Sequence, residues 1–383
     1  MKKVFAVLFF AALGAFSFFS VKYIKDSQLF TSFPAPEYLS EEEAAGNVMY
    51  DTFNKNEKAV YTALYKGIKE HKRFIDLPFD IDGEMYEKIY TVLEKQESEL
   101  YYIDYAFYVA EKIRRAQIDY NANEDEVVEK TAEIEKKRDE ILKGIEKDMT
   151  AEEKARYIHD YLAQNCKYVI EFNYFNGTAY GCLVEGEARC EGYAKAFDYL
   201  MEAVGVRTII ITGTTDDGEA HAWNKFDGTD GKWYNVDVTW DDNDEVGEGN
   251  HCYFMSSNDA FYKTHFPSDV YSDDELIFNN NECNDADVNL FFKNNGLYAD
   301  VMEAADKILI QELLDYKLDD YIEIEFVDNE LYDEFVQKYF TESGMVDVIA
   351  DIKPRFIHEK KYNSFNIIEN RDENVIIFYP IER

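Results

Sequence analysis

Between Ala179 and Asp242 the sequence changes its apolar period twice, and that order restricts the fold more than any other part of the chain. CEGYAKAFDYLMEAVG opens with Cys190 and repeats Tyr193, Phe197, Leu200, Met201 and Val204 at helical spacing. Gly205 is placed to end that helix in a left-handed cap. VRTIIITG then reads as a central strand, with EAHAWNKF and KWYNVDVTW as the two arms of a hairpin. Asp227-Gly228 and Asp230-Gly231 supply the turn chemistry between the arms. A helix that starts at a cysteine is therefore followed by strands that carry His221 and Asp237. The expected class is α+β.

Cys190 falls at the helix N-terminus, where free backbone N–H groups and the helix dipole stabilise a thiolate. This is how a thiol becomes a nucleophile near neutral pH. Gly186 and Gly192 let the backbone turn tightly around it. Alone, such a cysteine is most often structural, and a lone strand histidine is most often a satisfied core residue. Together they read differently, because a tight turn puts His221 and Asp237 near opposite positions on adjacent arms. The carboxylate then holds the imidazole in the tautomer that leaves its other nitrogen to the thiol. Tyr180, ahead of the nucleophile, is the candidate second oxyanion donor beside the Cys190 backbone N–H. Trp223 and Trp240 are candidates for walls that exclude water, or else core aromatics beside the hairpin. Asn224 reads as a strand residue.

These residues carry a resemblance. CEGYAKAFDYLMEAVG, ITG, HAWNKF and KWYNVDVTWDD, with YIHDYL and NCKY upstream and YFMSSN downstream, make the segment near 150–270 similar to the transglutaminase-like family. That family is a branch of the papain-like thiol fold found in many bacterial exported proteins. The resemblance implies a core in which a helix bearing the cysteine packs on an antiparallel sheet bearing the histidine and the aspartate. It implies a nucleophile at Cys190, a general base at His221 and an orienting acid at Asp237. It also implies acyl-enzyme chemistry at an amide of a protein or wall peptide, by hydrolysis or by transfer to an amine, with no cofactor. A non-enzymatic cell-surface binding module that keeps the fold is the alternative.

Two positions depart from the family pattern. Arg189 stands where a small apolar residue is usual, and either supports a thiolate or points to solvent. Cys182 stands where alanine is expected, and pairing with Cys190 would mask the nucleophile. Some family members hold calcium, but DDNDEVGE at 241–248 lacks ligands at alternate positions plus a distal glutamate, and reads as a solvated acidic loop.

The remainder frames this segment. The chain has 383 residues, enough for two or three domains, and 30 Tyr with 28 Phe give ample core material. Its net charge of -38 argues against a nucleic-acid partner, since phosphates would be repelled. Lys2 and Lys3 precede an uncharged run, residues 4–21, which is the order of a secretory signal. The run is also long enough to remain as a membrane tether. The expected location is extracytoplasmic, secreted or anchored. Cys166, Cys182, Cys190, Cys252 and Cys283 are odd in number, so at least one is unpaired within the chain, and their disulfide pairing stays open. There is no CxxC pair, and His251, His265 and His358 show no metal-ligand partner, so no metal is expected.

The domain reading is 1–28 signal peptide or anchor, 29–148 an N-terminal α/β module, 149–272 the catalytic domain and 286–383 a C-terminal α/β module, with NNNECND at 279–285 as linker. In the first module a helix near 51–70, a strand at FIDLPF and a helix capped by Asp82 precede a strand at YYIDYAFYVA and a charged helix over 124–147. Thr150-Ala-Glu-Glu153 is a capping box opening the next helix. In the last module a strand near 288–293, a helix over 301–318, a strand and helix in YIEIEFVDNELYDEFVQKYF and a final strand NVIIFYP are expected. FIDLPFDIDGEMYEKI and YIEIEFVDNELYDEFV share a strand, acidic-cap, helix layout. Nothing in the sequence fixes the oligomeric state.

Overall fold

The structure, a computed structural model, describes residues 32–242, 250–268, 289–315, 321–341, 344–345, 347–348 and 365–380. Residues 4–21, the 279–285 linker, Cys283, His358 and residues 243–248 of the acidic run lie outside them. Among the described residues no helix is long and apolar enough to cross a membrane. The chain divides between Ala132 and Glu133 into two compact units.

In the first unit, α1 (Lys55–Lys69) starts at Asn54, whose side chain accepts from the backbone of Asn56 and Glu57 while Glu57 bonds back to Asn54. Its buried Val60, Leu64 and Ile68 form the expected helical stripe. β1 (Phe74–Ile81) leads through the Asp82 cap into α2 (Gly83–Gln96). The second strand of this unit lies elsewhere than expected. It is β2 (Ile113–Gln117), antiparallel, and YYIDYAFYVA is not a regular strand. Asp76 lies opposite Arg115 and takes both guanidinium bonds, at 2.5 and 3.0 Å, which favours this register. Tyr101, Tyr102 and Ile103 are buried without a ladder. Tyr102 and Asp104 bond to the backbone of Asn121 and Asp119, but only Ile103 pairs, with Tyr120, so the segment makes a single bridge and not a ladder. α3 (Glu124–Ile141) buries only Ile134 and Ile141, and the unit boundary falls within it.

The second unit begins with α4 (Ala151–Asn165), closed by the Thr150–Glu153 capping box. β3 (Lys167–Tyr168) pairs in parallel with β4 (Glu187–Ala188), which delivers the chain to α5 (Cys190–Ala203). Gly205, at φ +75°, supplies the left-handed residue behind α5. The central sheet is formed by β5 (Thr208–Thr215), β6 (Ala220–Asp227), β7 (Trp233–Val236), β8 (Phe254–Ser256) and β9 (His265–Pro267). Its order is β8-β7-β6-β5-β9, with every neighbouring pair antiparallel. Short helices α6 (Val238–Asp241) and α7 (Asn258–Phe261) flank β8. The face of α5 that holds Phe197 and Leu200 is fully buried, with the Phe197 ring 6.4 Å from that of Phe226 on β6.

Beyond the sheet, Leu290–Asn295 is a helix, α8, where a strand was expected. Local capping decides it: the Asn289 side chain accepts from the Phe291 backbone, and Gly296 at φ +72° ends the turn. β10 (Tyr298–Ala299), α9 (Met302–Asp315), β11 (Ile322–Phe326), α10 (Asn329–Tyr339), β12 (Phe365–Asn370) and β13 (Val375–Pro380) follow. Their sheet order is β10-β11-β13-β12, over a core that includes Leu309, Ile324, Phe335 and Phe378.

Candidate active site

Cys190 is the first residue of α5 and packs against Ala194, Ile210 and Ala222. Its approach is set by Gly192, where a Cβ would come within 2.5 Å of the Asn176 carbonyl and 2.9 Å of the Ala188 Cβ. Only glycine lets the helix start lie so close to these segments. Asn224 on β6 donates its amide to the Ala194 carbonyl at 3.0 Å, tying the sheet to the helix about one turn beyond the cysteine. It is a strand residue, as expected, with a positioning contact.

His221 lies on β6 with its Nε2 2.6 Å from Asp237 Oδ2. The ladder pairs Asn224 with Val236, so Asp237 faces Trp223 and lies diagonal to His221 on the same face, not opposite it. The five-residue loop between Asp227 and Trp233, longer than a two-residue turn, sets that offset. The other ring nitrogen of His221 is left free of Asp237, and Cys190 is close enough to add to the upward shift of the imidazole.

Asp237 ends β7 and caps α6. Its Oδ1 accepts from the backbone of Thr239 at 2.9 Å and Trp240 at 3.3 Å, and its Oδ2 accepts from His221 and, at 3.1 Å, from His265 Nε2. Burial works against ionisation of this carboxyl, but the two histidines outweigh it and hold it well below the usual carboxylate range. For His221 burial opposes the charge, yet Asp237 and then Cys190 push its pKa up to about 10. His265 goes the other way, with burial pushing it down. Its Nδ1 meets the Thr264 hydroxyl at 2.9 Å, so its Nε2–H is the donor to Asp237.

His265 is a site residue that no spacing in the sequence marks. It reaches Asp237 because β9 pairs with β5 at Thr215↔His265, a choice of sheet edge that local pattern does not encode. Tyr168 on β3 is exposed, and its phenol is raised by burial.

The other expected residues are placed as follows. Trp240 sets its ring 5.6 Å from that of His221 and 4.5 Å from that of His265, covering the pair. Trp223 is fully buried beneath them, 5.1 Å from His265, and is core. Tyr180 is a correction, since its hydroxyl donates to the Glu133 carboxylate and its ring packs on Phe175, which commits it away from an oxyanion. The Arg189 guanidinium stacks over Phe172 at 5.3 Å. Cys182 is buried, and burial, with Cys166 beside it, pushes its thiol up. Cys166, Cys182, Cys190 and Cys252 are all free thiols. Among the described residues two groups present metal-type donor atoms, His221, Asp237 and His265 in one and His159, Asp160 and His251 in the other. The expectation that His251 and His265 lack such neighbours is thereby corrected, because both find them across the fold.

No curated protein matches the chain significantly. Among solved structures the chain is similar to a TGase crystal structure at 17% identity, over 31% of this chain and 34% of that one, with a TM-score of 0.27. It is also similar to a candidate cysteine protease from Cytophaga hutchinsonii at 20% identity, over 28% of this chain and 37% of that one, with a TM-score of 0.24. The chain thus spans about a third of the length of either structure. Residues 139–238 match the model of the transglutaminase-like superfamily, a range that takes in Cys190, His221 and Asp237, and this part of the chain is a transglutaminase-like domain.

Proposed function

We propose that the protein is an exported thiol enzyme that cleaves or transfers acyl groups at amides of a protein or wall peptide, with Cys190 as nucleophile. The observation that carries this reading is the run of neighbours from Cys190 through His221 to Asp237, closed behind by His265. Cys190 Sγ attacks the amide carbonyl carbon while its own backbone N–H, at the free end of α5, faces the developing oxyanion. The proton on His221 goes to the departing amine, and the carbonyl re-forms as a thioester on Cys190. Water or a second amine then attacks the thioester, His221 takes its proton, and the thiolate leaves. Asp237 holds the imidazole in the required tautomer throughout. Export rests on Lys2, Lys3 and the uncharged run that follows them.

The test is mass spectrometry of a peptide and protein mixture treated with wild type or Cys190→Ala, with a labelled primary amine present. Release of fragments marks a hydrolase and label at glutamine or another amide carbonyl marks a transferase. Identical spectra for the two proteins, with binding retained by both, would leave a binding module in place of an enzyme.

A further inference from the structure

Behind the thiol site the same unit holds a second pair of buried histidines on one carboxylate. His159 and Asp160 are neighbours on α4, and His251 precedes β8. His159 Nδ1 and His251 Nε2 each lie 2.9 Å from Asp160 Oδ1, and the three atoms are all within 4.8 Å of one another. The far nitrogens are also engaged. His159 Nε2 is 3.0 Å from Asp241 Oδ2, and His251 Nδ1 is 2.7 Å from Glu323 Oε1 on β11. Those outer carboxylates are themselves fixed: Asp241 accepts the Tyr253 backbone N–H, and Glu323 accepts that of His251.

A neutral imidazole that gives its N–H to a carboxylate turns the lone pair of its other nitrogen forward. In their neutral forms both histidines are oriented that way, with both lone pairs converging on the Asp160 oxygen, which is itself only an acceptor. Such an arrangement is filled by a cation. The thiol site lacks this pattern, because the far nitrogen of His265 meets the Thr264 hydroxyl and that of His221 is left free of Asp237, with Cys190 nearby. Arg156 is no substitute, since its nearest approach is 3.6 Å and to the other oxygen, Oδ2. The Asp160 side chain is 32% exposed, which gives an ion a way in.

We propose that His159 Nδ1, His251 Nε2 and Asp160 Oδ1 bind a divalent transition metal of the zinc class, with Asp241 and Glu323 as the carboxylates that orient the two imidazoles. Two imidazoles and a carboxylate suit zinc and its neighbours better than calcium or magnesium. Bonds of about 2.0–2.2 Å put neighbouring tetrahedral ligands about 3.3–3.5 Å apart, so the cluster opens by roughly half an ångström on loading. The ion would join α4, the segment before β8 and, through Glu323, the C-terminal sheet. It would also brace α6, since Asp241 ends the helix that Asp237 begins.

The test uses the full chain without a histidine tag. Metal content is measured by plasma mass spectrometry, and Co²⁺ is titrated into the chelator-treated protein while its visible absorption is followed. The expected result is one equivalent per chain, retained by Cys190→Ala and His265→Gln and lost by His251→Ala. Glu323→Gln should weaken binding about 10–100-fold. Asp160→Asn, which keeps the shape of the site, covers the case in which His251→Ala fails to fold, and it should also lose the metal. Wild type that neither carries nor takes up a stoichiometric metal would overturn the proposal, and the cluster would then be two protonated histidines among three carboxylates. Binding abolished by His265→Gln but not by Asp160→Asn would overturn it as well, by placing the ion in the thiol site.

Discussion

The two histidine pairs of this domain share a plan and differ in their outer partners. In each, a single carboxylate oxygen meets two imidazole nitrogens, Asp237 Oδ2 in one and Asp160 Oδ1 in the other. Around Asp237 the backbone N–H groups of Thr239 and Trp240 complete the carboxylate, while His221 keeps a nitrogen for a thiol. Around Asp160 the far nitrogens end on further carboxylates, Asp241 and Glu323. The same central motif is thus open to chemistry in one place and shaped to hold charge in the other. The groups one bond further out make that difference.

The comparison is broken most severely by Asp237→Ala, which strips the orienter from His221 and leaves His265 and two backbone donors unpaired. Turnover should fall by roughly 10³–10⁴, measured as initial rate on any substrate found, while metal content stays at the wild-type level. Removing the proposed ion acts on the other cluster. Zinc at about a hundred times its dissociation constant should add about 2.7 kcal/mol to stability, read as a thermal shift reversed by chelator. Turnover at temperatures well below unfolding should change little by comparison. His265→Phe sharpens the picture of the thiol site itself. It deletes one charge-assisted bond to Asp237, and about 1.5–3 kcal/mol of stability should go with it, seen in denaturant unfolding.

The His221–Asp237 pair is also tested by its pH dependence. His221 is raised from an ordinary value near 6.5 to about 10, so its contribution to stability is complete below about 6.5 and is lost as the pH climbs through about 10. Asp237 is depressed, so its contribution is present above about 4 and is lost on acidification. The gap in unfolding free energy between wild type and His221→Phe should therefore be widest between about pH 4 and 6.5 and narrow toward pH 10. A gap that widens on going to alkaline pH would show that His221 is neutral in the folded protein.

How much of this was readable beforehand follows from the range over which each feature is determined. α5, the hairpin of β6 and β7, and the Thr150 capping box rest on local period and local caps, and their residues stand where those signals put them. Cys190, His221 and Asp237 were legible because each sits at a landmark of such an element. The diagonal offset of Asp237 was not, because it depends on how the 228–232 loop closes. His265 depends on β9 choosing the edge of β5, and His251 meets Asp160 across 91 residues. Tyr180 failed as a donor because proximity in sequence to a nucleophile says nothing about where a hydroxyl finds its partner, here Glu133. The strand expected at YYIDYAFYVA, which does not form, and the unforeseen helix α8 show the same limits in pairing and in capping.

The central claim is that His221 activates Cys190, and the alkylation rate of that cysteine tests it most directly. Iodoacetamide is applied to native wild type and to His221→Phe at pH 6.5, and labelling of Cys190 is followed by peptide mass spectrometry. Buried Cys166, Cys182 and Cys252 serve as internal references. An isolated thiol is only a few per cent ionised near neutral pH, so the wild-type rate should exceed that of His221→Phe by about tenfold or more. Equal rates in the two proteins would contradict the account.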